Sequence, residues 1–262
     1  MAEQPRVAVV TGTNSGVGLS LSVLLAKDGF QVFAGMRGVS SEKSAPLHAA
    51  VAEAGVDVSL VETIELDVNS DESVTQAFEA ILQKTGRVDV LVNNAGYSIF
   101  GSVEQLGMDA IQAQFNTNVY GVIRCQKAVL GAMRQQRSGK IINISSVGGV
   151  WGQPFNDVYC ASKFAIEGLA ESQAPLFRTF GVYVTNVQPG GIKTNFATNA
   201  KLPDMSALAP EYAPALQSTF AAYKGSTASQ TPEEVAQQVM DQVVRVEAPP
   251  LKVQPNAAIA AV

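Results

Sequence analysis

Histidine is nearly missing from this chain of 262 residues, with His48 the only one. A Ser-His-Asp triad needs a histidine beside its nucleophile and a histidine-rich metal site needs several, so both are excluded. His48 itself falls in a helical stretch and is expected at the surface. Cysteine is scarce too. Cys125 and Cys160 have neither metal-ligand spacing nor further partners, and they read as small buried apolar residues of a reduced, intracellular protein. There is no basic excess. Lys and Arg number 18 against 23 Asp and Glu, a net charge of −5, which removes the electrostatic case for nucleic acid or an anionic membrane. No apolar run approaches the ~20 residues of a membrane span, and the residues from Met1 to Arg6 lack a signal-peptide layout. No integral membrane segment and a cytoplasmic location are therefore expected. Repeats, low-complexity tracts and linkers are absent as well. One domain over 1–262 is expected, with 47% hydrophobic residues to fill its core.

What is present is an alternation of short apolar runs and helical patterns. Val7–Val10, Phe30–Arg37, Val58–Leu66, Val88–Val92, Lys140–Ile144 and Val182–Val187 read as strands, rich in β-branched residues. Helical spacing predicts helices over 19–28, 42–53, a stretch ending near 85, 108–134, 159–180, and from Thr231-Pro232 to about 246. Asn116 and Asn118 lie inside the fourth of these. Asparagine is a poor helix former, so a specific hydrogen-bonding task is expected there. Residues 195–230, with Pro203, Pro210 and Pro214, lack strong periodicity and read as short helices over a substrate cleft. Leu251–Val253 is a last short strand, and the rest of 247–262 is an apolar tail to which no role is assigned.

The first strand runs straight into Thr11-Gly12-Thr13-Asn14-Ser15-Gly16-Val17-Gly18 and then into a helix. Glycines there let the backbone turn tightly and approach a pyrophosphate, whose charge a helix N-terminus favours. The spacing departs from the commoner G-x-G-x-x-G, and a turn that binds nothing also fits it. At the end of the second strand, where an acidic residue would hold a ribose 2′-hydroxyl, stand Met36 and Arg37. A guanidinium with no carboxylate beside it favours a 2′-phosphate, and so NADP(H); a solvated strand-end charge is the other reading. Asp67 either caps a turn or faces an adenine. Asn93-Asn94-Ala95-Gly96 suits a loop packed under the cofactor, or an Asn-rich turn.

Ser146 follows the fifth strand, and a Gly-rich loop leads from it to Tyr159-x-x-x-Lys163 at the start of a helix. Four residues are about one helical turn, so the tyrosine and the lysine share a face. A free phenol, with pKa near ~10, exchanges protons poorly at neutral pH. An ammonium beside it favours the phenolate and is expected to bring that value down. Ser146 can hold the oxygen of a carbonyl or alcohol against the phenol. These residues supply the acid/base half of a carbonyl–alcohol interconversion; the other half, a hydride carrier, is expected from residues upstream.

With Thr11-Gly12-x-x-x-Gly16-x-Gly18, Asn93-Asn94-Ala95-Gly96, Ser146 before Tyr159-x-x-x-Lys163, and Pro189-Gly190 in order, the chain resembles the short-chain dehydrogenase/reductase family over about 7–246. The run from Ser146 to Glu171 is similar to the hydroxysteroid and retinol dehydrogenases of that family. The resemblance implies a single α/β domain: a doubly wound, Rossmann-type parallel sheet with helices on both faces and a small helical substrate-loop insertion. Such proteins are often homodimers or homotetramers. It implies Tyr159 as acid/base, Lys163 as its partner and a ribose ligand, Ser146 as substrate-orienting serine, and Asn118 as the holder of a helix kink and a proton-relay water. For cofactor binding it implies Gly12, Asn14, Ser15, Gly16, Val17, Gly18, Arg37, Asp67, Val68, Asn94, Ala95, Gly96, Pro189, Gly190, Ile192 and Thr194 beside Tyr159 and Lys163. Among these, Ser15 and Arg37 match the 2′-phosphate of NADP, Asp67 the adenine and Thr194 the nicotinamide amide. Substrate contacts are expected from Ser146, Gln153, Asn156 and Tyr159, and no metal is expected. The chain has no histidine after His48 and stops before the region from which a distal glutamate would come, so a phenolic steroid is not implied. A ketone or secondary alcohol on a bulky apolar small molecule is. The alternatives are reduction of smaller ketones or aldehydes, and a non-catalytic NADP(H)-sensing protein of the same fold.

Overall fold

Each β-branched run becomes a strand of one parallel sheet in the computed structural model, which describes residues 4–194, 209–225 and 229–255. The strands are β1 (Val7–Thr11), β2 (Gln31–Met36), β3 (Val61–Glu65), β4 (Val90–Asn93), β5 (Gly139–Ile144) and β6 (Val182–Val187). A short pair follows, β7 (Gly191–Ile192) with β8 (Ser229–Gln230), and β9 (Lys252–Val253) comes last. The main sheet runs β3-β2-β1-β4-β5-β6-β9, every pair parallel. The helices are α1 (Gly16–Lys27), α2 (Ser41–Glu53), α3 (Asp71–Thr85), α4 (Met108–Phe115), α5 (Gly121–Gln136), α6 (Asp157–Arg178), α7 (Ala213–Gly225) and α8 (Pro232–Val239).

Parallel strands need crossover helices, which cover both faces of the sheet. On one face α1, α2 and α8 bury Leu21, Leu25, Leu47, Val51, Val235 and Val239 against β1 and β2. On the other, α3, α5 and α6 bury Val74, Phe78, Ile81, Val129, Met133, Ala170 and Phe177. Leu25 is fully buried, so Leu25→Ala would cost about 2–5 kcal/mol. Three asparagines sit in register across the sheet interior, where apolar residues would be the rule. Asn93 donates to Asn143 Oδ1 and Asn143 to Asn186 Oδ1, each at 2.9 Å, which satisfies most of their buried polar atoms.

Several boundaries differ from those the sequence predicts. Val58–Leu60 forms a 3₁₀ turn held by Asp57 Oδ1 accepting from Ser59 N, so β3 starts at Val61. The helix after β1 begins at Gly16, earlier than its apolar spacing indicates, and α6 begins at Asp157. The pattern over 108–134 is two helices joined by a π-helical turn, Asn116–Tyr120. A second π turn, Met240–Val244, closes the stretch after α8. Thr231 caps α8 with a reciprocal Glu234 contact, as its Thr-Pro start predicts. Of the region over 195–230, the described part is a 3₁₀ turn at Pro210–Tyr212, α7 and β8; 195–208 and 226–228 lie outside the described residues, as does 256–262 of the tail.

Candidate active site

The C-terminal ends of β1, β2, β4, β5 and β6 all open on one edge of the sheet, and the residues singled out by sequence gather there. Gly12 and Gly16 have φ of +70° and +60°, a region in which a side chain is strained. Gly18 has no room for one: a Cβ would collide with Asn94 Nδ2 and the Gly12 carbonyl. Asn94 donates to the carbonyls of Thr11 and Gly12, both at 2.9 Å, while Thr11 Oγ1 accepts from the amides of Asn94 and Ala95 at 3.0 Å. The second asparagine of the tetrapeptide thus fastens the β4 loop under the glycine turn, and the first bonds into the sheet. No side chain caps the start of α1, and its first turn has no acidic residue. The exposed Asn14 and Ser15 precede that positive helix end. A Cβ on Gly16 would lie 3.4 Å from Thr194 Cγ2, so Thr194 closes over the same turn. Pro189 O accepts from Val147 N at 3.0 Å, joining the loop at Pro189 and Gly190 to the turn after Ser146. The cradle, the uncapped helix start and the close-packed glycines fit a dinucleotide pyrophosphate.

Arg37 is exposed just beyond β2. Its carbonyl accepts from Lys43 Nζ at 2.9 Å. A carboxylate does reach this loop, from a place the sequence does not indicate. Glu65, in register with Met36 at the end of β3, accepts from Gly38 N at 2.8 Å and from Val39 N at 2.7 Å. Both of its oxygens are engaged by the backbone, so it shapes the loop that carries Arg37. Asp67 Oδ1 accepts from Asn69 N, and Ser70 is the residue that caps α3. Val68 packs against Gly121, where a Cβ would lie 2.9 Å from its own Cβ.

Around the tyrosine the packing is close. Tyr159 and Lys163 are both buried, with Lys163 Nζ 5.7 Å from the Tyr159 ring centroid and donating to Ile144 O at 2.7 Å. The Ser146 hydroxyl hydrogen-bonds the Tyr159 phenol and also accepts from Gly148 N at 3.0 Å. A Cβ on Gly148 would sit 3.3 Å from Tyr159 Cε1, so this glycine lets the ring approach the serine. Ser145 Oγ instead lies behind Gly149, 2.9 Å from where its Cβ would be. The proton affinities depart from the expected lowering of the phenol. Burial pushes the Tyr159 phenol up to about 12, with the Ser146 hydrogen bond acting the other way, and pulls Lys163 down to about 8, against the Glu167 carboxylate. Desolvation outweighs the attraction between the pair because both charged forms lose water and the ammonium is turned to a carbonyl.

Asn118 has the task expected of it. It lies in the π turn, 1% exposed; its Nδ2 donates to Tyr97 O at 3.0 Å and Ser162 Oγ at 3.1 Å, and its Oδ1 accepts from Tyr97 N at 3.2 Å. Gln153 and Asn156 bond each other at 3.3 Å, and Asn156 Oδ1 accepts from Ser98 Oγ, so this pair braces the loop before α6. Four aromatic rings line up beside it. Phe100 stacks on Phe155 and Phe220 at 5.8 and 5.4 Å, and Tyr212 meets Phe155 edge-on at 6.1 Å. Tyr212 Oη donates to Glu104 Oε2 at 2.7 Å. Isolated aromatics leave no periodic signal, so sequence reasoning missed this wall, along with Glu65 and the buried Gln114 that donates to Tyr97 O. Among the described residues no helix is long and apolar enough to cross a membrane, and no cluster of three or more His, Cys, Asp or Glu could hold a metal.

Known proteins resemble this arrangement along most of the chain. The family described as short chain dehydrogenase matches residues 6–204. Retinol dehydrogenase 8 of Homo sapiens is 39% identical over 272 residues, 98% of this chain and 83% of that protein. The 17-beta-hydroxysteroid dehydrogenase type 1 of Homo sapiens is 42% identical over 193 residues, 72% of this chain but only 58% of that longer protein. Among solved structures, a short-chain dehydrogenase from Streptomyces avermitilis superposes with a TM-score of 0.86 at 31% identity, covering 100% of this chain and 91% of that one.

Proposed function

The chain belongs to the short-chain dehydrogenase family and is an oxidoreductase, and from that premise we propose that it interconverts a ketone and a secondary alcohol on a bulky apolar small molecule, using NADP(H). One observation carries the reading: the cluster of buried Tyr159 and Lys163 with half-buried Ser146 opens on the same sheet edge as the glycine cradle. When bound, the nicotinamide supplies or removes a hydride. Gly12, Gly16 and Gly18 admit its pyrophosphate to the start of α1. Asn14, Ser15, Val17, Asp67, Val68, Ala95, Gly96, Gly190, Ile192 and Thr194 line the same groove in this reading. Arg37, on the loop braced by Glu65 and Lys43, would hold a 2′-phosphate, which favours NADP(H) over NAD(H).

In the reducing direction the Tyr159 phenol gives its proton to the carbonyl oxygen while the Ser146 hydroxyl holds that oxygen. The phenolate left behind is stabilised by the Lys163 ammonium in a site where charge interactions are little screened. A phenol held high by burial is a protonated acid over the whole neutral range, which suits reduction. Asn118, joined to Tyr97 and Ser162, holds the helix break beside the cluster. The rings of Phe100, Phe155, Tyr212 and Phe220 offer an apolar wall for a substrate of steroid or retinoid size, and the two human relatives carry retinol and hydroxysteroid in their names. Gln153 and Asn156 stand at its polar end.

The test is NADPH and NADH consumption against ketosteroids, retinal and small ketones, with Tyr159→Phe in parallel. Tyr159→Phe is expected to lose about 10²–10⁴-fold in turnover while still binding the dinucleotide. Ordinary turnover by that variant overturns the tyrosine's role, and a clear NADH preference overturns the choice of cofactor.

A further inference from the structure

Tyr159, Lys163, Glu167 and Glu171 recur every four residues along α6 and so form one row on its face. Only the first two are used in the reading above. Glu167 is 5% exposed, and its Oε2 accepts from Asn186 Nδ2 at 3.0 Å, the last step of the asparagine ladder from β4 through β5 to β6. Its Oε1 is buried with no hydrogen-bond partner among the described residues. The turn behind Ser146 rests on this same stretch of helix. A Cβ on Gly149 would lie 3.2 Å from both Glu167 Cγ and the Lys163 carbonyl carbon. A buried carboxylate is costly unless something needs its charge.

We propose that Glu167 is a positioning residue: fixed by the asparagine ladder one turn behind Lys163, its carboxylate keeps that buried lysine an ammonium. This rests on the acid/base reading of Tyr159 and Lys163. Burial favours the neutral amine, and the Glu167 charge is the one that opposes it. Among the described residues, Lys163 is faced by Tyr159 and Glu167 on its own helix, the Ile144 carbonyl from β5, and the uncharged turn at Gly149. Glu167 in turn is faced by Asn186 of β6 and by Lys252 of β9, whose ammonium is 2.6 Å from Glu171 Oε1. With the Glu167 charge removed, Lys163 would give up its proton at a lower pH. The phenolate formed in reduction would then lose its counter-ion.

Glu167→Gln keeps the shape and can still accept from Asn186, but carries no charge. Acylation of Lys163 by a small amine reagent, followed by peptide mass spectrometry on the folded, cofactor-free protein, reads the free amine directly. At pH 7 the Gln variant is expected to label about fivefold faster than the parent, since losing an opposite charge at this range lowers a pKa of about 8 by about one unit. The basic limb of its pH–turnover profile is expected to move toward acid by the same amount. Glu167→Asp keeps the charge and is expected to label within about threefold of the parent; it decides the question if the Gln variant does not fold. Equal labelling of parent and Gln variant, or an Asp variant that labels as fast as an uncharged one, overturns the proposal. Failure of the oxidoreductase reading looks different, because the parent itself would then turn over with neither NADPH nor NADH.

Discussion

Asn94 Nδ2 occupies the space in which a side chain on residue 18 would begin, and the Gly12 carbonyl fills the other side. Gly18→Ala must therefore push the start of α1 away from the β4 loop, opening the cradle rather than the core. Loss of at least about tenfold in dinucleotide affinity is expected with the fold retained, since sub-ångström misplacement at a site is costly. Fluorescence titration with NADPH checks this, and an unchanged dissociation constant would contradict it.

Lys163 makes stability depend on pH. Its folded value of about 8 lies below the ordinary 10.5, so below pH 8 the native state carries a buried ammonium that the unfolded chain hydrates freely. The unfolded chain binds more protons between those values, so stability rises with pH across that window, by on the order of 3 kcal/mol in all. Lys163→Met removes the group. The melting temperature of the parent relative to this variant should climb from pH 8 to pH 10 and stay level below pH 7. A level difference throughout would show that the ammonium is not desolvated.

Cys125 is fully buried and its thiol is pushed up to about 12, so it should be inert in the folded protein. Titration with a chromogenic disulfide at pH 8 is expected to find at most Cys160 before denaturant is added and both thiols afterwards. Two fast-reacting thiols in the native state would mean that α5 opens readily.

Phe220 of α7 stacks on Phe100 at 5.4 Å, linking that helix to the aromatic wall. Phe220→Ala should raise KM for a steroid- or retinoid-sized ketone by about tenfold, the value of one lost aromatic contact, and leave a small ketone nearly unaffected. Equal effects on both substrates would favour a smaller natural carbonyl compound.

Much of this was legible in the sequence because the signals were local. The glycine turn, the Tyr-x-x-x-Lys spacing and the Thr231-Pro232 helix start each depend on neighbours within one or two turns. Glu65 was not legible, since it reaches the loop after β2 only through strand register. The asparagine ladder needs three strands aligned before Asn93, Asn143 and Asn186 are seen to touch. The phenol's proton affinity went against expectation for a related reason. Spacing places an ammonium one turn away from Tyr159, but only packing reveals how little water either group keeps.

The π turn at Asn116–Tyr120 carries one residue more than a regular helix would need, which advances everything after it by about 100° around the axis. Asn118 faces inward for that reason. Shortening the chain by a single residue there would restore an unbroken cylinder, swing the amide out of its niche between Tyr97 and Ser162, and turn the apolar stripe of α5 away from the sheet. Length in this segment is therefore more tightly fixed than residue identity, and natural variants should tolerate substitution there far better than deletion.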